Sequence, residues 1–157
     1  MLPVSREEHD FFLRHSNREE NETSSDFGPS LMKTKIKENQ MQFKTIVRSE
    51  HLNHHGVLFG GYLLLWVDEY AYITALEEFP NVRFVTRAMD AASFTQSVKN
   101  GAILTFDVSR QSVGRTSVTY AIEVTARDVA SEKPYHVFDT HVTMCSIDAE
   151  GRKMPLP

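Results

Sequence analysis

The segment Asn53-His54-His55-Gly56-Val57-Leu58-Phe59-Gly60-Gly61 runs straight into Tyr62-Leu63-Leu64-Leu65-Trp66-Val67-Asp68-Glu69. Paired glycines at a helix start leave backbone N–H groups without intrahelical acceptors, and the helix dipole adds partial positive charge there. Such amides can hold an anion or the oxyanion of acyl transfer. Spacing alone leaves a second reading open, in which Gly60 and Gly61 only allow close backbone approach.

Helical periodicity places Asp68 on a face with Gly61, Leu64, Leu65, Ala71, Tyr72 and Ala75. Desolvation there is expected to raise its pKa toward the range of a general base, while a strand Lys or Arg could instead pair it. Glu69 shares a face with Tyr62, Leu65, Trp66, Tyr72 and Ile73, so periodicity does not choose between the acids. Gly60 and Asp68 lie about 12 Å apart along the axis at about 1.5 Å per residue. One helix cannot bring both to one carbonyl, whereas two antiparallel copies could form two composite sites.

Other chemistries have weaker support. His51, His54 and His55 lack a spaced carboxylate or cysteine, so no metal site is expected. There is no Gly-x-Ser-x-Gly elbow, and Cys145, among Val142, Met144 and Ile147, is read as strand core. Gly114-Arg115-Thr116-Ser117 reads as a solvated turn that could also meet a phosphate or amide.

These residues must be positioned by one domain, given 157 residues, an apolar share of 41% and only six prolines and seven glycines. A net charge of -4 with scattered basic residues predicts no nucleic-acid partner. The longest apolar run, Val57 to Val67, is shorter than the roughly 18 residues of a membrane span. With one cysteine and no secretory or transit pattern in the first 30 residues, a soluble, cytoplasmic protein is expected.

Residues 1–40 read as a polar extension, partly disordered or carrying a short helix. Ser16 to Ser30 holds one large apolar residue, Phe27, and Ser5-Arg6-Glu7-Glu8 has the form of a capping box. Residues 41–157 form the folded domain. Phe43, Thr45 and Val47 alternate with Gln42, Lys44, Ile46 and Arg48 in a mostly period-two pattern as a first strand, and Gly60 to Leu76 is a helix buried on most sides. Strands follow over Arg83 to Phe94, Ala102 to Val113, Thr116 to Arg127 and Tyr135 to Ile147. Asn100-Gly101 signals a tight hairpin, Gly114 breaks the next pair and Ala130 to Pro134 makes a looser turn, so a meander is expected. An α+β architecture follows: a hot-dog fold, with a long antiparallel sheet wrapped around one central helix and another copy covering the remaining apolar surface.

Asn53, Gly56, Phe59, Gly60, Gly61 and Asp68 match an Asn-x-x-Gly-x-x-Phe-Gly-Gly segment leading to an aspartate. Together with Gly114-Arg115-Thr116-Ser117, they make residues 41–157 resemble the hot-dog acyl-CoA thioesterases of the acyl-CoA hydrolase branch. The resemblance implies Asp68 as general base or nucleophile, the Gly60 and Gly61 amides on the thioester carbonyl, and Asn53 shaping the loop. It further implies that Gly56, Phe59 and the Gly114–Ser117 turn approach the substrate, with Arg115 toward CoA. It implies a homodimer that assembles as a trimer of dimers, with no metal or redox cofactor, CoA being part of the substrate. His51 departs from the family's aspartate, and Ser97-Val98-Lys99-Asn100-Gly101-Ala102 departs from its Pro-Val-x-x-Gly-Asp turn. Competing readings are a hot-dog hydratase or dehydratase using His54 or His55, and a non-catalytic acyl-CoA sensor.

Overall fold

A computed structural model describes residues 40–131 and 133–157. The short helix expected at Ser5–Glu8 and nearly all of the expected extension, up to residue 39, lie outside the described residues.

Strand β1 (Gln40–Ile46) leads through a short 3-10 turn to helix α1 (Gly60–Glu78). Then come β2 (Arg83–Met89), β3 (Ser93–Phe94), β4 (Ile103–Val113), β5 (Ser117–Arg127) and β6 (Tyr135–Ile147). The antiparallel sheet has the order β1-β4-β5-β6-β2, with β3 also on β6. This is the expected hot-dog arrangement.

Period-two alternation explains which face of the sheet holds the helix. Val118, Tyr120, Ile122, Val124 and Ala126 are all buried, whereas Ser117, Thr119, Glu123, Thr125 and Arg127 are half-buried or exposed. Leu104, Phe106 and Val108 continue the buried face on β4, and Val142 and Met144 on β6. Against it α1 packs Leu63, Trp66, Val67, Ala71, Thr74 and Ala75. The Trp66 and Tyr70 rings meet Phe106 edge-on, at centroid separations of 6.3 and 4.9 Å. The opposite stripe of α1 is left largely open among the described residues: Leu65 is 57% exposed, and Tyr72 and Leu76 are 38% exposed each.

A polar cluster fixes the far end of α1. The buried Tyr120 hydroxyl donates to Glu78 Oε2 at 2.9 Å, and Arg110 Nη1 lies 3.6 Å from the same oxygen. Burial first, then the hydrogen bond and charge of Glu78, push the Tyr120 phenol far above its ordinary value against an opposing pull from Arg110. A register shift between Arg110 and Ser112 adds a bulge beside this cluster.

The structure corrects three details of the sequence reading. Helix α1 runs on through Glu78 rather than stopping at Leu76. The strand expected over Arg83 to Phe94 breaks into β2 and β3. From Met89 opposite Val142 to Ser93 opposite Asp139, this side crosses one more residue than β6 does, and the extra residue bulges out over 90–92. Asn100-Gly101 forms a turn, with Gly101 at φ +83° and the Ala102 amide donating to Lys99 O at 3.3 Å. It does not close a hairpin, because β3 lies beside β6 while β4 lies between β1 and β5. The meander is therefore confined to β4, β5 and β6. Among the described residues, no helix is long and apolar enough to cross a membrane.

Candidate active site

Asn53 builds the loop that delivers the chain to α1. Its side-chain Oδ1 accepts from the amides of His55 at 2.9 Å and Val57 at 3.4 Å. Its own amide donates to Val57 O at 2.8 Å, and its carbonyl accepts from the Gly56 amide at 2.9 Å. The turn closes through Gly56 at φ +74°, where only a residue tolerant of the left-handed region fits. The loop is then pinned on two sides, with the Leu58 amide on Val98 O at 2.8 Å and the Phe59 amide on His51 O at 2.9 Å.

Phe59 enters the helix in extended conformation, and no side chain caps the terminus. The amides of Gly60 and Gly61 therefore open along the axis without intrahelical acceptors. Both glycines also answer a packing demand. A Cβ on Gly60 would sit 3.1 Å from the Phe94 ring, and one on Gly61 would run into the Phe59 ring. The close approach is by aromatic side chains, not by a second backbone, so it coexists with the free amides.

Asp68 lies two turns along the helix, half-buried rather than buried, and its Oδ1 accepts a 2.6 Å hydrogen bond from Thr86 Oγ1 on β2. No strand Lys or Arg pairs with it among the described residues. Glu69, one residue on, is exposed. The sheet thus distinguishes two acids that periodicity could not. Thr86 was missed by sequence reasoning. The available signal was its place two residues after the core residue Phe84, a hydroxyl on the inward face.

The Gly114-Arg115-Thr116-Ser117 turn joins β4 to β5 at the other end of the sheet. Ser117 pairs with Cys145, whereas the helix entry lies by Val137, eight residues away along β6, or about 27 Å. The Arg115 and Thr116 carbonyls accept from the amides of Leu156 at 2.8 Å and Ser146 at 2.9 Å, and the Arg115 side chain is exposed. One chain therefore brings together Asn53, Gly56, Phe59, Gly60 and Gly61, keeps Asp68 with Thr86 two turns away, and sets this turn far from the helix entry, level with Thr86 through the Cys145–Val85 and Met144–Thr86 pairs.

The histidines take other places. His51 packs against Tyr62 and Trp66, with Nδ1 accepting from the Arg48 amide at 3.1 Å. His54 and His55 are exposed, with their rings tilted by 45° to each other at a centroid separation of 3.9 Å. Among the described residues, no three His, Cys, Asp or Glu side chains converge to hold a metal ion. Cys145 is buried and unpaired.

A family model described as the thioesterase superfamily matches residues 55–132. An uncharacterized acyl-CoA thioester hydrolase of Haemophilus influenzae is 29% identical over 117 residues, covering 73% of this chain and 75% of that protein. A hexameric hotdog fold thioesterase of Campylobacter jejuni is 32% identical, covers 73% of this chain and 88% of its own, and superposes with a TM-score of 0.67. An acyl-CoA hydrolase of Staphylococcus aureus, solved with butyryl coenzyme A, coenzyme A and coenzyme A disulfide, is 27% identical with a TM-score of 0.68. The coverage is 75% of this chain and 71% of that one.

The loop geometry generates a stability prediction. Nothing lies within 4 Å of a Cβ built on Gly56, so substitution there tests backbone strain alone. Gly56→Ala is expected to lower the unfolding free energy by about 1 kcal/mol or more, and Gly56→Asn by less, since Asn tolerates positive φ. Urea denaturation of the three proteins at one concentration measures this, and an Ala variant as stable as the parent contradicts it.

Proposed function

This chain belongs to the thioesterase superfamily, and from that premise we propose that it hydrolyses acyl-CoA thioesters to a free carboxylic acid and CoA. The Gly60 and Gly61 amides polarise the thioester carbonyl and hold the oxyanion as it forms. Asp68 takes a proton from water as the water oxygen bonds to the carbonyl carbon. The C–S bond then breaks, and the CoA sulfur leaves protonated. The same carboxylate could attack the carbonyl directly, giving an acyl-enzyme anhydride that water opens. Neither route needs a metal or redox cofactor.

The observation that carries this reading is where the exposed stripe of α1 falls. The midpoint between Gly60–Gly61 and Asp68 lies at Leu64–Leu65, and Leu65 is the most exposed of the large apolar side chains on the helix. A two-fold axis passing there, with helices antiparallel, sets the amides of one chain level with the Asp68 carboxylate of the other. Burial of Leu65, Tyr72 and Leu76 would drive the contact, and the edge of β2, unpaired among the described residues and with Val85 42% exposed, would extend it. Each dimer then holds two composite sites, and removal of Leu65 from water also desolvates the neighbouring carboxylate. Asn53 shapes the loop beside the carbonyl, and Gly56 and Phe59 border the substrate. Arg115, with Gly114, Thr116 and Ser117, approaches the CoA moiety from a neighbouring chain. The Campylobacter jejuni relative is a hexamer, and we extend this assembly to a trimer of dimers. A lone, buried thiol suits a reducing compartment, and we place the activity in the cytoplasm.

Free-thiol release from acyl-CoAs of graded length tests the roles. Asp68→Asn at unchanged oligomeric state is expected to lose about a hundredfold or more in kcat, while Glu69→Gln stays near the parent. Full activity in Asp68→Asn contradicts the mechanism. Thr86 is a positioning residue for that carboxylate. Thr86→Val is expected to lower kcat on the order of tenfold with KM little changed, and Thr86→Ser to restore it. Equal losses in both Thr86 variants would point to packing rather than the hydroxyl.

A further inference from the structure

Beside the helix entry lies a cavity of about 340 Å³ lined by Leu58, Gly60, Leu63, Phe94, Val98 and Val137, together with the 95–97 segment. Its floor is apolar, with Leu58, Leu63, Val98 and Val137 all buried, and Gly60 sits in its wall. We propose that this cavity receives the acyl chain of the substrate and that Phe94 sets the chain length accepted. The inference rests on the hydrolase reading and deepens it by naming the substrate class, medium-chain acyl thioesters.

Two groups leave a thioester carbonyl held at Gly60. The pantetheine side carries amides and a hydroxyl, which favour water or polar partners, whereas the acyl side is hydrocarbon and gains from apolar burial. The cavity in contact with Gly60 therefore suits the acyl side. Since a cavity of about 150 Å³ admits a six-carbon ring, 340 Å³ admits a chain on the order of ten carbons.

Phe94 is placed to control that volume. Its ring lies 3.1 Å from where a Gly60 Cβ would be, and it packs on Phe138 at a centroid distance of 5.1 Å. It is nonetheless 49% exposed, on a strand of two residues. The backbone beneath it is anchored independently of the ring. The Thr95 amide donates to Val137 O at 2.9 Å, and the Thr95 hydroxyl lies 3.0 Å from both the His136 and Val137 carbonyls. The ring can therefore be shortened without releasing the strand.

The test is the chain-length profile of kcat/KM for the parent, Phe94→Ala and Phe94→Trp, each confirmed folded and in the parental oligomeric state. Phe94→Ala is expected to raise the ratio of long-chain to medium-chain activity at least about tenfold, and Phe94→Trp to shift the profile toward shorter chains. An active parent whose profile neither variant moves overturns the assignment while leaving the hydrolase reading intact. If the parent releases no thiol from any acyl-CoA, the hydrolase reading fails. Calorimetric binding of saturated fatty acids of graded length then decides the cavity separately. A length optimum that shifts in Phe94→Ala supports the pocket, and absence of binding overturns it.

Discussion

The rise of an α-helix is the constraint from which the site follows. Amides at Gly60 and Gly61 and a carboxylate at Asp68 on one rigid element stand about 12 Å apart, and packing within the chain cannot shorten that distance. A carbonyl served by both must therefore see two helices. The same helix carries the means to bring a second one, because its sheet covers only one face. Residues Leu63, Trp66, Val67, Ala71 and Ala75 are taken up by the chain's own core, and Leu65, Tyr72 and Leu76 are left. Burying this stripe is favourable by the apolar area it removes from water. Under the proposed mechanism, assembly and chemistry are two consequences of one half-covered helix.

Such a site needs the helix held in place along its length. Its entry is fixed by the Asn53 turn and by backbone bonds to His51 and Val98, its middle by Thr86 on Asp68, and its end by Glu78 with Tyr120 and Arg110. Glu78 is an unfavourable residue at a helix C-terminus, where the dipole is negative. Its bonds to Tyr120 and Arg110 offset that cost and explain why an acid is tolerated there.

Much of this was legible in the residues. The alternation of Val118 through Ala126 gave the buried face of β5, and the turns at Gly114 and Ala130 to Pro134 gave the β4-β5-β6 meander, because these are local signals of period and backbone freedom. The nearly all-round apolar character of Gly60 to Leu76 gave the helix and its need for cover on more than one side. What was not legible depends on pairing between distant segments. The bulge over 90–92 exists only because β3 resumes its register on β6, and Asn100-Gly101 looks like a hairpin turn until its flanking strands are seen on different neighbours. Helical periodicity does not choose between Asp68 and Glu69; the motif resemblance favours Asp68, and the structure separates them by burial and by the bond from Thr86, eighteen residues away. Phe94 escaped notice for the same reason, since its importance lies in what it covers.

Subunit complementation tests the shared site most directly. Asp68→Asn removes the proposed base. Gly60→Pro removes the first amide at a helix-start position whose backbone, after an extended Phe59, suits proline, while its ring requires Phe94 to shift by a few tenths of an ångström. Each variant alone, folded and oligomeric, should be nearly inactive. Unfolded together and refolded as an equal mixture, they should recover about a quarter of the parental thioesterase activity, because half of the dimers are mixed and each of those has one intact site. A mixture no more active than its components, with mixed oligomers demonstrated by mass spectrometry, would place amides and carboxylate in the service of one chain and contradict the account.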